Sequence, residues 1–201
     1  MKHLKQKYFD LSYLKSLGLF TQYKIDMEIN VLPGVKAPSF GGVAWCNGWS
    51  DISLSDNIAK KNWTILFFYP LDFGYIAPSE LMELENCRTE LEGLKCNIVA
   101  LSTDSAVTHE KFCSIQPRYG GVQGINFPLL EDVNGTIAEK YGVIRKNSGY
   151  TYRAYFIIDS NGVVRSRVVG DLPVGLGVDK IPSKVRNLQE ALKEKAWYEV
   201  K

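Results

Sequence analysis

Histidine is scarce in this chain of 201 residues: there are two, His3 and His109, beside four cysteines, Cys46, Cys87, Cys96 and Cys113. No two cysteines stand close together, and neither histidine lies at zinc-site spacing from a cysteine pair. That excludes a zinc-finger or zinc-ribbon layout, and neither a metal nor a cofactor is expected. A chain of this length can bury a core large enough to fold without disulfide staples, so the thiols are expected to be reduced. The cytoplasm is the expected compartment. No apolar run approaches the roughly 18 residues that a membrane span requires. An excess of one charge is missing too: 24 basic against 22 acidic side chains leave a formal net charge of +2. Without a dense basic patch interleaved with aromatics, nucleic acid is not an expected partner.

What is present is the composition of a globular domain, 45% hydrophobic, 12% aromatic and 23% charged. The first thirty residues stand apart from the rest, with five lysines, no arginine and the acids Asp10, Asp26 and Glu28. They read as an N-terminal extension, residues 1–30, ahead of one domain at 31–201. Leu11, Leu14, Leu17 and Phe20 are spaced for one face of a short helix over Phe9–Phe20. A docked helix or frayed terminus is the expectation. Organelle targeting through residues 1–30 is the alternative, although the segment has neither the apolar run of a secretory signal nor the arginines of a mitochondrial presequence.

From Val31 the pattern alternates between strands and helices. Asn62–Tyr69 (NWTILFFY) is a nearly continuous apolar run, as expected of a strand buried on both faces. Pro70 ends it, and Pro78 opens a helix whose Glu80 favours the positive helix start. Leu84, Cys87, Leu91 and Leu94 then predict one buried helical face. Further strands are predicted at Asn97–Ser102 and Phe127–Leu130, with helices at Ala106–Ile115, Thr136–Tyr141 and Pro182–Ala196. Arg153–Ile158 and Val163–Val169 flank Asp159-Ser160-Asn161-Gly162, a hairpin whose Asn-Gly supplies positive φ. Buried parallel strands joined by helices, then an antiparallel hairpin, give an α/β class with a mixed central sheet and helices on both faces.

Between Phe67 and Glu80 the sequence FFYPLDFGYIAPSE resembles the peroxiredoxin family, thiol peroxidases on a thioredoxin-like fold. Counterparts follow in order: APSF at Ala37–Phe40, LSTDSAVTH at Leu101–His109, FPLLED at Phe127–Asp132, YRAYFIID at Tyr152–Asp159 and DLPVG at Asp171–Gly175. The resemblance covers roughly residues 31–190. It implies a thioredoxin-like fold, and it implies roles for six positions. The family motif Pro-x-x-x-Thr-x-x-Cys reads Pro70-Leu71-Asp72-Phe73-Gly74-Tyr75-Ile76-Ala77, so Gly74 stands at the threonine position and Ala77 at the peroxidatic cysteine. Arg118 and Arg153 match the arginines that support the thiolate, and Glu80 matches the glutamate that orients them. The resolving cysteine of typical two-cysteine members has no counterpart after Cys113.

A thiolate is the nucleophile that attacks an O–O bond, and a methyl group carries no lone pair to replace it. The chemistry by the family's route is therefore absent as written. A non-catalytic member is expected, with a scaffold, holdase or regulatory role. The alternative is an antioxidant thiol peroxidase bearing an engineered cysteine-to-alanine substitution at position 77, against which Gly74 and the missing resolving cysteine count. The resemblance also implies a homodimer or ring-shaped homo-oligomer, assembled through edge strands and the loop holding Phe73 and Tyr75, with active relatives or client proteins as further partners. Arg118, Arg153 and the helix start form a candidate small-anion site, unless Glu80 pairs with one arginine.

The four thiols read as packing. Cys87 lies about ten residues along its helix, roughly 15 Å from the start. Cys96 begins a strand and Cys113 lies in a helix. Cys46 sits at a hairpin tip in VAWCNGWSD, with no base or arginine placed beside it by the sequence. Redox chemistry through Cys46 or Cys113 is the remaining alternative. His109 reads as a packing or capping residue, and Trp45 and Trp49 as ordinary hairpin packing.

Overall fold

In the computed structural model, residues 31–145, 147–170 and 175–199 are described, the last helix with side chains to residue 194. The N-terminal extension with its expected helix, and most of the DLPVG segment, lie outside them. Among the described residues seven strands form one sheet: β1 (Gly41–Trp45), β2 (Trp49–Ser53), β3 (Trp63–Phe68), β4 (Cys96–Ser102), β5 (Leu129–Glu131), β6 (Arg153–Ile158) and β7 (Val164–Gly170). The helices are α1 (Leu54–Ala59), α2 (Ala77–Asn86), α3 (Arg88–Gly93), α4 (Ala106–Ser114), α5 (Thr136–Lys140) and α6 (Ile181–Glu199).

The strand order is β2-β1-β5-β4-β3-β6-β7. β3 and β4 are parallel, as are β4 and β5, while β6 returns antiparallel against β3. The apolar run of β3 is buried at every position, and alternate side chains enter two separate cores. Ile65 and Phe67 face Leu81 and Leu84 of α2, Leu91 of α3, Phe112 of α4, and Ile181 and Val185 of α6. Leu66 and Phe68 face Leu54 of α1, Ile137 and Ala138 of α5, and Tyr141. Each side chain fully buried in this way contributes about 1.5–3 kcal/mol. Helices therefore cover both faces, as the sequence pattern implies.

Three local features differ from the sequence reading. The helix expected to run unbroken to Leu94 is two helices that meet at Cys87. There the Cys87 N–H is shared between the carbonyls of Glu83 and Leu84, at 3.3 and 3.1 Å, which tightens the turn. In the hairpin only Gly162 takes a positive φ, of 74°. The other constraint is Asp159 Oδ1, which accepts the N–H groups of Asn161 and Val163 at 2.8 and 2.9 Å. The hairpin expected around Cys46 is present, but the sequence pattern marks neither of its strands, β1 and β2, nor the helix α1 that follows. Both strands lie at one edge of the sheet, where only Ala44 is fully buried and the other positions are exposed or partly buried, so they leave no apolar period to read.

Candidate functional site

Parallel strands β3 and β4 end on the side of the sheet where α2 begins, the usual place for a ligand site in α/β proteins. Pro70 stops β3, Leu71–Ile76 form a loop, and α2 starts at Ala77. Pro78 sits where a helix needs no donor, and no side chain caps the first-turn N–H groups behind Ile76. The partial positive charge of the helix start is thus left facing a small pocket of about 210 Å³. Pro70, Leu71, Gly74, Tyr75, Ile76, Ala77 and Arg153 line it. The Ala77 methyl is buried, and it also belongs to the core under α2.

Behind the pocket, Glu80 and Arg153 are both buried and paired. Arg153 Nε donates to Glu80 Oε2 at 3.0 Å, and a second contact joins Arg153 Nη2 to Glu80 Oε1. The Leu176 N–H donates to Glu80 Oε1 at 3.1 Å, which ties the start of α2 to the segment before α6. A buried pair of this kind holds direction: removing either partner strands the other's charge.

A second polar cluster lies on the other side of the loop. The Tyr69 hydroxyl donates to Asp72 Oδ1 at 2.8 Å, His109 Nδ1 meets Asp72 Oδ2 at 2.8 Å, and His109 Nε2 faces the Leu130 carbonyl at 3.3 Å. All three side chains are buried. Burial pushes the Asp72 carboxyl above its ordinary value, against the pull of its bonds from His109 and Tyr69. The Tyr69 phenol is held well above its usual range by burial and by Asp72. The Asp72 N–H donates to Asp104 Oδ2 at 2.7 Å, so both ends of the residue are pinned. His109, expected to pack or cap, is therefore the joint between α4 and the loop. Its partner lies 37 positions away, and no local signal points to it.

The next residue, Phe73, holds a φ of 57°, unusual for a bulky side chain, and stacks edge-on against Phe112 at 4.9 Å. Phe73 and Tyr75 project outward, Tyr75 fully exposed. At Gly74 an added Cβ would lie 3.2 Å from the Leu71 carbonyl oxygen, so a side chain there asks for a few tenths of an ångström of adjustment.

This chain matches the AhpC/TSA family over residues 33–167. It is 38% identical to Peroxiredoxin-2 of Pongo abelii over 161 residues, 80% of this chain and 90% of that protein. It is 40% identical to the Thioredoxin peroxidase of Echinococcus granulosus over 148 residues, 73% and 76% of the two chains. The chain belongs to the peroxiredoxin family. The reduced 2-Cys peroxiredoxin of Plasmodium vivax superimposes with a TM-score of 0.77 at 31% identity, covering 80% of this chain and 83% of that one. The mitochondrial 2-Cys peroxiredoxin of Plasmodium falciparum gives 0.76 at 29%, over 81% and 96%. The thioredoxin-like fold is the one these neighbours share.

Against the family motif, Pro70, Gly74, Ala77 and Arg153 meet around one pocket and Glu80 stands behind it. Arg118 does not join them. It lies on an exposed 3-10 turn, Pro117–Tyr119, with its guanidinium 4.8 Å from the centre of the Tyr119 ring. An anion site shared by Arg118 and Arg153 is consequently not assembled, and Arg153 is engaged by Glu80. Motif order aligned Arg118 with a supporting role; a surface turn with its own aromatic partner occupies that place.

The four cysteines are free. Burial pushes the Cys96 thiol up to about 12, in keeping with a packing role. Cys87 is half-buried, with Sγ 3.9 Å from the Val178 carbonyl. Cys46 does lie in the field of an arginine, Arg88, but burial and Glu85 outweigh it and raise the thiol. Among the described residues no three His, Cys, Asp or Glu side chains converge to hold a metal ion, and no helix is long and apolar enough to cross a membrane.

Proposed function

We propose that this chain is a non-catalytic peroxiredoxin, acting through its surface and assembly instead of through a thiolate at position 77. The observation that carries this is the Ala77 methyl lining the pocket that the α2 N-terminus and Arg153 share. A nucleophile lost from such a position removes the mechanism itself, with losses of many orders of magnitude. Gly74, at the motif's threonine position, supports the same reading. The exposed Phe73 and Tyr75, and a sheet that ends at β7, support a homodimer or ring-shaped homo-oligomer, with active relatives or client proteins as partners. Four free cysteines support a reducing compartment such as the cytoplasm.

A second reading, a thiol peroxidase whose cysteine at 77 was replaced by design, is favoured by the intact Glu80–Arg153 pair. The coding sequence separates the two: a cysteine codon at 77 establishes the second. The first is tested by hydroperoxide consumption by the full chain with a thioredoxin-type reductant. No turnover above the protein-free control is expected, and turnover at the rate of an active peroxiredoxin assayed beside it overturns the proposal.

A further inference from the structure

The first half of β4 has a backbone edge that the sheet does not use. The Trp63 N–H donates to the Lys95 carbonyl at 2.8 Å and the Tyr69 N–H to the Leu101 carbonyl at 3.1 Å. The odd-numbered residues of β4 thus aim their backbone groups at β3, and the even-numbered ones aim theirs at β5. There the Ala100 N–H donates to the Pro128 carbonyl and the Asp132 N–H to the Ser102 carbonyl, each at 3.0 Å. One step earlier along β4 the ladder stops, for two reasons. Pro128 has no N–H to give the Ile98 carbonyl. The Asn126 N–H, which the same register would aim at the Cys96 carbonyl, donates to Glu85 Oε2 at 2.9 Å instead. The Asn126 side chain is drawn the same way, donating to Glu85 Oε1 and to the Gly124 carbonyl. Among the described residues nothing meets the carbonyls of Cys96 and Ile98 or the Ile98 N–H. Cys96 and Ile98 are only 0% and 4% exposed, and a buried backbone group without a partner costs as much as a lost hydrogen bond.

These groups open onto a cavity of about 290 Å³ between β4 and the corner where β2 runs into α1. Its charged side chains come in both signs, Asp51, Asp56 and Glu92 against Lys60 and Arg88. Arg88 is already held by Glu85 and Glu92, so the cavity asks for a neutral ligand. The free edge from Cys96 to Ile98 spans about 7 Å, roughly two residues of extended chain. We propose that this gap is a peptide site, in which an uncharged extended segment about two residues long lies beside Cys96–Ile98. Its N–H groups donate to the Cys96 and Ile98 carbonyls, and one of its carbonyls accepts from the Ile98 N–H, as in strand addition to a sheet edge. Ile52, Val99 and Phe127 give small apolar side chains a wall to pack on. Cys96 pairs with Trp63 at the start of β3, whereas Ala77 follows the other end of that strand, so the site owes nothing to the residue at 77.

The test is titration of the isotope-labelled full chain with N-acetyl-dialanine amide, a probe capped at both ends, followed on the backbone amide resonances. A saturable shift of the Ile98 amide is expected, with the amides of Tyr75 and Ala77 unmoved. The N-methylated form of the probe has no N–H to give and should bind about tenfold more weakly. Pro128→Ala supplies the donor that the Ile98 carbonyl lacks and narrows the gap, so the capped probe should also bind that chain about tenfold more weakly. If Pro128→Ala does not fold, the two probes on the unaltered chain still decide. No saturable shift at Ile98, or equal binding of the methylated probe, would overturn the proposal. So would binding of uncapped dialanine alone, which would mark a site for charge at Lys60 and Arg88. Hydroperoxide turnover is not read in this experiment, so its failure leaves the non-catalytic reading untouched.

Discussion

Two buried polar clusters flank the loop Leu71–Ile76, and they contrast with the pocket between them. On one side Glu80 and Arg153 pair behind the start of α2; on the other, Tyr69, Asp72 and His109 pin the loop to α4. Each consists of polar groups that cost free energy to bury and are kept by mutual satisfaction. The pocket between them holds glycine and alanine where the family motif has its reacting and orienting groups. The two polar clusters also hold the fold together, so their role does not depend on which side chain stands at position 77.

If that is so, damage to either cluster should register as lost stability. Glu80→Ala is expected to cost the most, about 3–5 kcal/mol, because it leaves the Arg153 charge buried against α2 without its carboxylate. Chemical denaturation measures it, and a loss under about 1 kcal/mol would mean the pair is not structural. His109→Ala should follow at about 2–3 kcal/mol, through a cavity and an Asp72 carboxylate stripped of one partner. The same variant should expose Phe73 to faster proteolysis nearby if the histidine joins the loop to α4.

The smallest effect concerns pH. Because burial raises the Asp72 carboxyl above its ordinary 3.8, the folded chain binds an extra proton in the window just above that value. Its contribution to stability is full below the unfolded-state value and declines as pH rises through the folded one. Subtracting the pH–stability curve of Asp72→Asn from that of the unaltered chain should isolate a decline of that sign. A difference that grows with pH across the window would reverse the assignment.

How much of this was legible in the sequence depends on the range of the interaction. β3 declares itself by an unbroken apolar run, and the β6–β7 hairpin by Gly162 between two β-rich segments. β1 and β2 do not, because among their positions only Ala44 is fully buried, too few to set an apolar period. The break at Cys87 carries no proline or glycine signal; it arises from one shared N–H. Within the site, the motif positions Pro70, Gly74, Ala77 and Arg153 line one pocket with Glu80 behind it. Arg118 lies apart from them on a surface turn, and motif order gave no sign of the Asp72–His109 contact, which exists only once β3 and α4 are folded together.

The central claim is that residue 77 still sits where a thiolate would be stabilised, with only the atom missing. Its most direct test is the thiol pKa of Ala77→Cys, followed by thiolate absorbance with Cys46, Cys87, Cys96 and Cys113 replaced by serine. The α2 N-terminus and Arg153 predict a value well below the ordinary 8.5, in the range of about 3.5–7.5. A value at or above 8.5 would show that the surroundings no longer activate a thiol, and would contradict the account.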